Sequence, residues 1–299
     1  MAVQQNMPFG LVNATSTFNR LMSQCLENCR NFALVYVDDV IVFSNSMEEH
    51  LKHLDIVLGY INRAGLTIKP NKCSVASNSI EFLGYSISSG SITAIEDRIK
   101  ELSKVEIPKT KKALQQFLGK VNFYHRFIPN LTEISFPLTD LLKTKEIKWN
   151  EKANSSFLKL KEVFKGKLKI YIPTRDGEFI LCTDASEVGM GAILQQKQDN
   201  EEVLITCISK KFSEAQKKYA IVEKECLAVV WAVNKLKKYL LGNNFILKTD
   251  HQALKWLLRN HIRGRRLSRW ALDLQLYSFS IVHISGRENG LADFLSRDF

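Results

Sequence analysis

The sequence predicts a mixed α/β (α+β) protein of about two domains. Its 299 residues and 45% apolar content are typical of packed cores rather than of disordered chains. The N-terminal part has a strongly apolar hairpin pattern between two helical patterns. The C-terminal part has the order βββαβααβα, which is expected to give a sheet with helices on its faces.

The first segment is predicted to be helix, hairpin, helix. The first helix begins at about Thr15, because apolar residues return every three or four positions, at Phe18, Met22, Cys25 and Cys29. The second begins at Ser46, whose capping partner is Glu49, and ends at Gly65. Its buried stripe is expected to be Leu51, Leu54, Leu58 and Ile61.

The hairpin carries two carboxylates where apolar residues are expected. Tyr36-Val37-Asp38-Asp39 lies between the apolar runs 32–35 and 40–43. A carboxylate pair at the turn of a buried hairpin indicates a metal site, because hard cations prefer such oxygen ligands. The only acidic residue upstream of the pair is Glu27, so no earlier aspartate is available to complete the site.

The middle of the chain is predicted to hold two short strands and a basic helical region. These strands and helices are expected at 66–68, at 80–85, from Thr110 onward and at 149–165. Residues 91–150 contain 11 Lys and Arg against 7 Asp and Glu, a net charge of +4. Pro129 and Pro137 are expected to break the chain into short segments.

A sheet domain is predicted after about residue 165. Three consecutive strands with short turns indicate a meander, and a long helix, a fourth strand, two helical stretches, a fifth strand and a last helix follow. In order, these elements are expected at 178–184, 189–194, 203–208, 213–240, 245–249, 252–258, 267–274, 279–284 and from Asn289.

Four carboxylates of this domain fall at strand ends or on helices: Asp184, Glu225, Asp250 and Asp293. Bridging carboxylates can hold two Mg²⁺ ions about 4 Å apart, which activate a water and stabilise the leaving oxygen of a phosphodiester. Each residue by itself also has a structural explanation, such as a turn cap for Asp184 or an ion pair with Lys224 or Lys218 for Glu225. Glu225 stands out, because its neighbours are apolar and a buried carboxylate needs a partner.

These carboxylates lie in the stretches 183–186, 225–232, 249–254 and 286–297. Together the stretches resemble the ribonuclease H domain of gypsy-type long-terminal-repeat retrotransposons. The resemblance implies that the four carboxylates hold two metal ions, Mg²⁺ or alternatively Mn²⁺, and cleave the RNA strand of an RNA/DNA hybrid. Cellular and retroviral relatives have a histidine in the loop before the last aspartate, where this chain has Arg287-Glu288-Asn289. His283 is expected to lie within a strand and not to replace it.

The N-terminal motifs at 7–14, 36–39, 64–73, 82–85 and 118–129 resemble the reverse transcriptase that precedes this domain in the same elements. The resemblance implies catalytic and metal-binding roles for Asp38 and Asp39. It implies contacts to primer-template nucleic acid for Phe9, Gly10, Lys72, Phe82, Gly84 and Tyr85. Reverse transcriptases of this kind also have an earlier palm strand whose aspartate shares both metals, and no residue here matches it. The chain is therefore expected to be N-terminally truncated and its polymerase inactive alone.

Charge favours a nucleic-acid partner. The formal net charge is +11, which suggests a polyanionic partner. Five arginines occur within eleven residues, at Arg259, Arg263, Arg265, Arg266 and Arg269. We expect Arg263, Arg265, Arg266 and Arg269 to contact the phosphates of the hybrid, although a solvated helix face is the alternative.

Other classes of protein are disfavoured. The six cysteines include no C-x-x-C motif and lie in apolar runs, which predicts buried, reduced thiols in an intracellular protein without zinc. A cytoplasmic location, in a retroelement particle, is expected. No apolar run reaches the roughly 18 residues that span a bilayer, so no membrane partner is expected. The sequence leaves the oligomeric state open.

We therefore expect three regions: a partial reverse transcriptase palm at 1–90, a helical thumb and connection at 91–165, and a ribonuclease H-like domain at 166–299. The leading hypothesis is a retroelement Pol fragment with an intact metal-dependent ribonuclease H. The alternative is a nucleic-acid-binding remnant without catalysis.

Overall fold

The computed structural model describes residues 12–250 and 265–284. These residues form two compact units that divide between Asn78 and Ser79. Within them, helices combine with sheets of two, four and five strands, which confirms the predicted mixed α/β (α+β) class. In this part of the chain, no helix combines the length and the apolar character that crossing a membrane requires. The three predicted domain boundaries stay predictions.

The first unit has the predicted order of helix, hairpin and helix. Its elements are α1 (Ala14–Cys25), β1 (Ala33–Tyr36), β2 (Asp39–Val42) and α2 (Met47–Arg63). The strands are antiparallel, with Tyr36 opposite Asp39. A small core joins the helices to the hairpin through Met22, Leu26, Cys29, Ala33, Val57 and Ile61.

The buried face of α2 differs from the predicted stripe. Ile61 is buried as predicted and Leu54 is half-buried, but Leu51 is 61% and Leu58 is 48% exposed, and Val57 is buried instead. Apolar residues occur on several faces of this helix, so periodicity did not identify the face that packs. The N-terminal cap is close to the prediction, since the Ser46 side chain accepts from the Glu49 amide at 3.2 Å. The strand predicted at 66–68 is wrong, because these residues pair with no strand.

The second unit begins with a four-stranded antiparallel sheet and four helices. They are β3 (Ser79–Phe82), β4 (Tyr85–Ser88), β5 (Ser91–Ala94), α3 (Glu96–Lys104), α4 (Lys111–Phe123), α5 (Leu131–Leu141), α6 (Glu151–Val163) and β6 (Lys169–Tyr171). The sheet has the order β3-β4-β5-β6. The helices predicted from Thr110 and at 149–165 are confirmed as α4 and α6.

Two predictions for this region are wrong. The single strand expected at 80–85 is a hairpin of β3 and β4, whose turn places Leu83 at φ 48° and Gly84 at φ 85°. Pro137 does not break the chain but lies inside α5. The buried residues Leu131, Leu138 and Leu141 anchor that helix on both sides of the proline. Their burial outweighs the hydrogen bond that proline cannot donate.

The remaining elements form the five-stranded sheet and its helices. They are β7 (Phe179–Ala185), β8 (Gly189–Gln198), β9 (Glu201–Lys211), α7 (Glu214–Lys217), α8 (Ile221–Lys235), α9 (Lys237–Leu240), β10 (Asn244–Thr249), α10 (Arg265–Leu274) and β11 (Ser278–His283). The sheet order is β11-β10-β7-β8-β9. The first three strands form the predicted antiparallel meander, and β10 and β11 are parallel to β7.

The long helix predicted at 213–240 is three helices. The chain is extended at Ala220, between α7 and α8, with ψ 153°. The amide of Ala220 donates to the Glu223 carboxylate at 3.2 Å, so a new helix start is capped there. The helices predicted at 252–258 and from Asn289 lie outside the described residues.

Side chains of β7 alternate between two cores. Ile180 and Cys182 belong to the core that contains the buried faces of α3 to α6. Phe179 and Leu181 belong to the core under α8 and α10. This alternation follows from the two-residue period of a strand. The sheet is therefore held between two helical layers.

We expect Leu160→Ala to lower the free energy of unfolding by about 2–5 kcal/mol, because Leu160 is fully buried in the core of α3 to α6. Leu158→Ala in the same helix is the matched control: Leu158 is 63% exposed, and the change should stay within about 0.5 kcal/mol. Urea unfolding of both variants checks this. Equal losses would contradict the packing of α6.

Four of the six cysteines are buried. Cys29, Cys182, Cys207 and Cys226 are buried, as expected, and burial raises the pKa of the Cys182 thiol to about 11. Cys25 is half-buried. Cys73 is exposed, which corrects the prediction for that residue, since it follows the irregular turn at 70–72 rather than an apolar strand.

Candidate active site

Asp184 lies near the end of β7, on the face of the sheet that α5 covers. Asp184 lies on the same face as Ile180 and Cys182, because every second residue of a strand points to the same side. It pairs with Gly191 of β8. Asn130, at the start of α5, donates from Nδ2 to Asp184 Oδ2 at 3.5 Å. Burial raises the pKa of the Asp184 carboxyl, and the charge of Asp250 raises it further, while Asn130 and the Ala185 backbone act in the opposite direction.

Glu225 is a buried carboxylate in α8, only 5% exposed, among the buried residues Cys226, Ala228 and Val229. Its Oε2 atom has no hydrogen-bond partner among the described residues. Burial raises the pKa of Glu225 to about 8, and the charges of Asp184 and Asp250 contribute in that order. The apolar surroundings predicted for Glu225 are present, and within the described part of the chain no ion pair joins it to Lys224 or Lys218.

Asp250 follows directly after β10 and is exposed. Because β10 runs parallel to β7 and pairs Lys248 with Cys182, Asp184 and Asp250 lie near corresponding ends of the two strands. The charge of Asp250 raises the pKa of both Asp184 and Glu225. His283 ends the outer strand β11, and its Nε2 donates to the Asp250 carbonyl oxygen at 3.0 Å.

Three of the four predicted nuclease carboxylates, Asp184, Glu225 and Asp250, thus lie toward the same end of the sheet. Asp293, the fourth, lies outside the described residues. Two further residues that the sequence did not indicate adjoin Asp184. These are Asn130 and Glu133, both at the start of α5. Burial raises the pKa of the Glu133 carboxyl, and the charge of Asp184 raises it further. No sequence signal marked them, since they precede Asp184 by more than fifty positions and belong to another predicted region.

The donor chemistry of this cluster fits Mg²⁺. Its oxygen atoms are carboxylates, the ligands that hard divalent cations prefer. The unpartnered Glu225 Oε2 and the mutual repulsion of the carboxyl groups are the features that a cation would relieve. Over residues 12–250 and 265–284, no three histidine, cysteine or carboxylate side chains are placed to hold one ion together. The fourth carboxylate expected from the resemblance falls outside those ranges.

The polymerase-type carboxylates have a different environment. Asp38 and Asp39 are exposed at the hairpin turn, where Val37 has φ 57°. Lys72 is exposed at the end of a short 3-10 turn. Phe9 and Gly10 lie outside the described residues. The predicted hairpin is confirmed, but no described side chain surrounds its two aspartates with buried charge.

Tyr85 is held within the second unit. Its hydroxyl donates to the Phe123 carbonyl oxygen at 2.9 Å, and its ring stacks on Phe123 with centroids 4.8 Å apart. A Cβ atom at Gly84 would collide with Arg98 and Phe123, so the backbone must approach α3 and α4 closely there. Phe82 is half-buried. The nucleic-acid contacts predicted for these residues stay predictions, and Tyr85 has at least a packing role.

The arginine run is partly engaged inside the protein. Arg266 pairs with Glu223, with Nη1 and Oε1 2.9 Å apart, and its guanidinium lies 4.0 Å from the centre of the Tyr219 ring. Arg269 is exposed. Arg265 is the first residue of α10, and Arg263 lies outside the described residues. Phosphate binding by this run stays a prediction.

Comparison with known proteins identifies the class. Residues 174–277 match the RNase H-like domain found in reverse transcriptase, and residues 1–87 match the reverse transcriptase (RNA-dependent DNA polymerase) family. The chain therefore combines reverse transcriptase and ribonuclease H-like domains.

Proteins of similar sequence are polyproteins of transposons and viruses. The chain is 36% identical over 298 residues to the retrovirus-related Pol polyprotein from transposon 297 of Drosophila melanogaster, covering 97% of this chain and 27% of that protein. It is 31% identical over 306 residues to the retrovirus-related Pol polyprotein from transposon gypsy of the same organism. This match covers 97% of this chain and 29% of that protein. It is 35% identical over 301 residues to the enzymatic polyprotein of figwort mosaic virus, covering 98% and 45%. Over nearly its whole length the chain is similar to retrovirus-related Pol polyproteins, and it spans less than half the length of these relatives.

Solved structures show the same fold. The foamy viral protease-reverse transcriptase in complex with dsDNA is similar with a TM-score of 0.76 at 22% identity, covering 94% of this chain and 60% of that one. The same viral protein in complex with an RNA/DNA hybrid gives a TM-score of 0.74 at 21% identity, covering 94% and 39%.

In the metal-free protein we expect stability to fall as pH rises from about 4.5 to about 8. The pKa of Glu225 is raised from 4.5 to about 8, so between these values the folded protein holds a proton that the unfolded chain has released. Glu225→Gln should remove this dependence and be more stable than the wild type at pH 9, by an amount on the order of a few kcal/mol.

Urea unfolding with a chelator, from pH 5 to pH 9, measures this difference. The comparison with Glu178→Gln controls for the loss of a carboxylate at an exposed position just before β7. If the free energy of unfolding of the wild type changes with pH in parallel with that of Glu225→Gln, the pKa of Glu225 is not raised by its surroundings.

Proposed function

We propose that this chain is a metal-dependent nuclease that cleaves the RNA strand of RNA/DNA hybrids. The observation that carries the proposal is the buried, unpartnered oxygen of Glu225 beside Asp184 and Asp250. A protein does not keep such a cluster of repelling carboxylates for stability, because each one costs free energy when it is charged. The cluster is the arrangement expected of a cation site.

Asp184, Glu225 and Asp250 would hold Mg²⁺, with Asp293 as the fourth ligand that the family resemblance implies. Mn²⁺ is the alternative ion. When bound, the metal would activate water and stabilise the charge that develops on the phosphodiester. The paired strands β7 and β10 position Asp184 and Asp250, and α8, which packs on β7, carries Glu225.

Two observations support nucleic acid as the partner: the net charge of the chain and its similarity to solved structures that contain nucleic acid. The net charge of +11 favours a polyanion. The similar foamy viral structures contain dsDNA or an RNA/DNA hybrid. We infer that a hybrid approaches the end of β7, where the carboxylates meet, and that binding weakens as salt rises.

The purified chain is expected to cut an RNA/DNA hybrid with Mg²⁺, and Asp184→Asn or Glu225→Gln should slow cutting by more than about 100-fold, beyond the usual loss for a group that only orients a metal ligand. Asp176→Asn, at an exposed aspartate in the loop before β7, is the matched control and should cut normally. Gel analysis of labelled RNA strands measures the rates.

Two results would overturn the proposal. One is an uncut hybrid at every Mg²⁺ and Mn²⁺ concentration. The other is cutting that survives both substitutions. If the wild type binds the hybrid without cutting it, and binding is indifferent to Mg²⁺, the chain is instead a nucleic-acid-binding remnant.

For the polymerase motif we propose that the 299 residues taken alone do not extend a primer. Asp38 and Asp39 are exposed at a turn, and residues 1–37 offer only Glu27 as a further carboxylate. Two-metal nucleotidyl transfer needs more acidic ligands than this pair provides. Primer extension with Mg²⁺ and all four nucleotides should be undetectable. Extension that is lost in Asp38→Asn would contradict this.

A further inference from the structure

Three residues form a row across the sheet next to the proposed nuclease site. Asp184 of β7 pairs with Gly191 of β8, and Gly191 pairs with Ser209 of β9. Residues directly opposite each other in neighbouring strands lie on the same face of the sheet. The row therefore lies on the face that α5 covers, with its carboxylate at one end.

The start of α5 matches this row residue by residue. Asn130 Nδ2 donates to Asp184 Oδ2 at 3.5 Å. The Thr132 hydroxyl and amide are 2.8 and 3.1 Å from the Ser209 hydroxyl. Between these contacts, the Oδ1 atom of Asn130 occupies the place that a Cβ atom on Gly191 would need. The two ends of the row are hydrogen-bonded and its centre is filled.

Asn130 has an uncommon backbone conformation. Its backbone is left-handed, with φ 47° and ψ 29°, a region that asparagine tolerates better than most residues. Its amide nitrogen faces the carboxylate, since a flipped amide would set its oxygen against Asp184. Glu133 lies beside the same group and adds negative charge, so it cannot replace the donor.

We propose that Asn130 is a positioning residue for the Asp184 carboxylate, and that position 191 is glycine because the Asn130 amide fills that space. Asn130 binds one oxygen of Asp184 and so restricts the rotation of a carboxylate whose charge also acts on Glu225. A segment outside the ribonuclease H-like match at 174–277 thereby contributes to metal binding. The inference rests on the proposed function.

The test is Mn²⁺ binding to the full chain, measured by isothermal titration calorimetry. Asn130→Ala should weaken binding about tenfold, the range typical of groups that orient a metal ligand. Gly191→Ala keeps Asn130 but displaces its amide, and should weaken binding to a similar degree. Because both changes act on one contact, the double variant should bind no more weakly than Asn130→Ala.

Thr132→Ala is the matched control, since it removes a hydroxyl at the other end of the same row and leaves the Thr132 amide to bond Ser209. It should lower the free energy of unfolding in urea without changing Mn²⁺ affinity. If Asn130→Ala does not fold, Gly191→Ala carries the test.

Failure of this inference and failure of the proposed function look different. A wild type that binds Mn²⁺ and cuts the hybrid, with Asn130→Ala or Gly191→Ala of unchanged affinity, overturns only the positioning role. Equal weakening by Thr132→Ala also overturns it, because the effect would then be general to the interface. A wild type that neither binds Mn²⁺ nor cuts overturns both.

Discussion

The burial of β7 on both faces is the constraint on which the second unit depends. Even-numbered side chains of this strand enter the core of α3 to α6, and odd-numbered ones enter the core under α8. A strand held from both sides cannot shift its register by one residue without exchanging the two sets. The position of Asp184 at its end is therefore fixed by apolar packing several residues away, and so is the distance to the helix that carries Glu225.

The same packing concentrates negative charge. The charge of Asp184 acts on both Glu225 and Glu133, which lie on helices on opposite sides of the sheet, and burial raises the pKa of all three carboxyl groups. In the proposed function, a bound cation would relieve this repulsion. The two apolar cores around the site supply the stability that tolerates it.

The two carboxylate motifs of the chain differ in what surrounds them. Asp38 and Asp39 project from a two-stranded hairpin whose side chains Leu34, Tyr36 and Phe43 are exposed. In the described part of the first unit, both aspartates are exposed. Of the nuclease-type carboxylates, Glu225 is buried and Asp184 is half-buried by neighbours from several elements. The hairpin motif matches the family, whereas the buried carboxylates of the five-stranded sheet are the ones on which the proposed nuclease activity rests.

The sequence by itself determined the elements whose apolar residues follow a local period, including the meander, α4, α6 and the hairpin, and the resemblance named the nuclease carboxylates. It did not identify the face of α2, the break at Ala220 or the pairing of β6 with β5, because each depends on contacts with distant residues. Only the tertiary structure placed Asn130 and Glu133 beside Asp184. Periodicity is a property of neighbouring residues, whereas the proximity of α5 to β7 arises from sheet register and from the burial of a shared core.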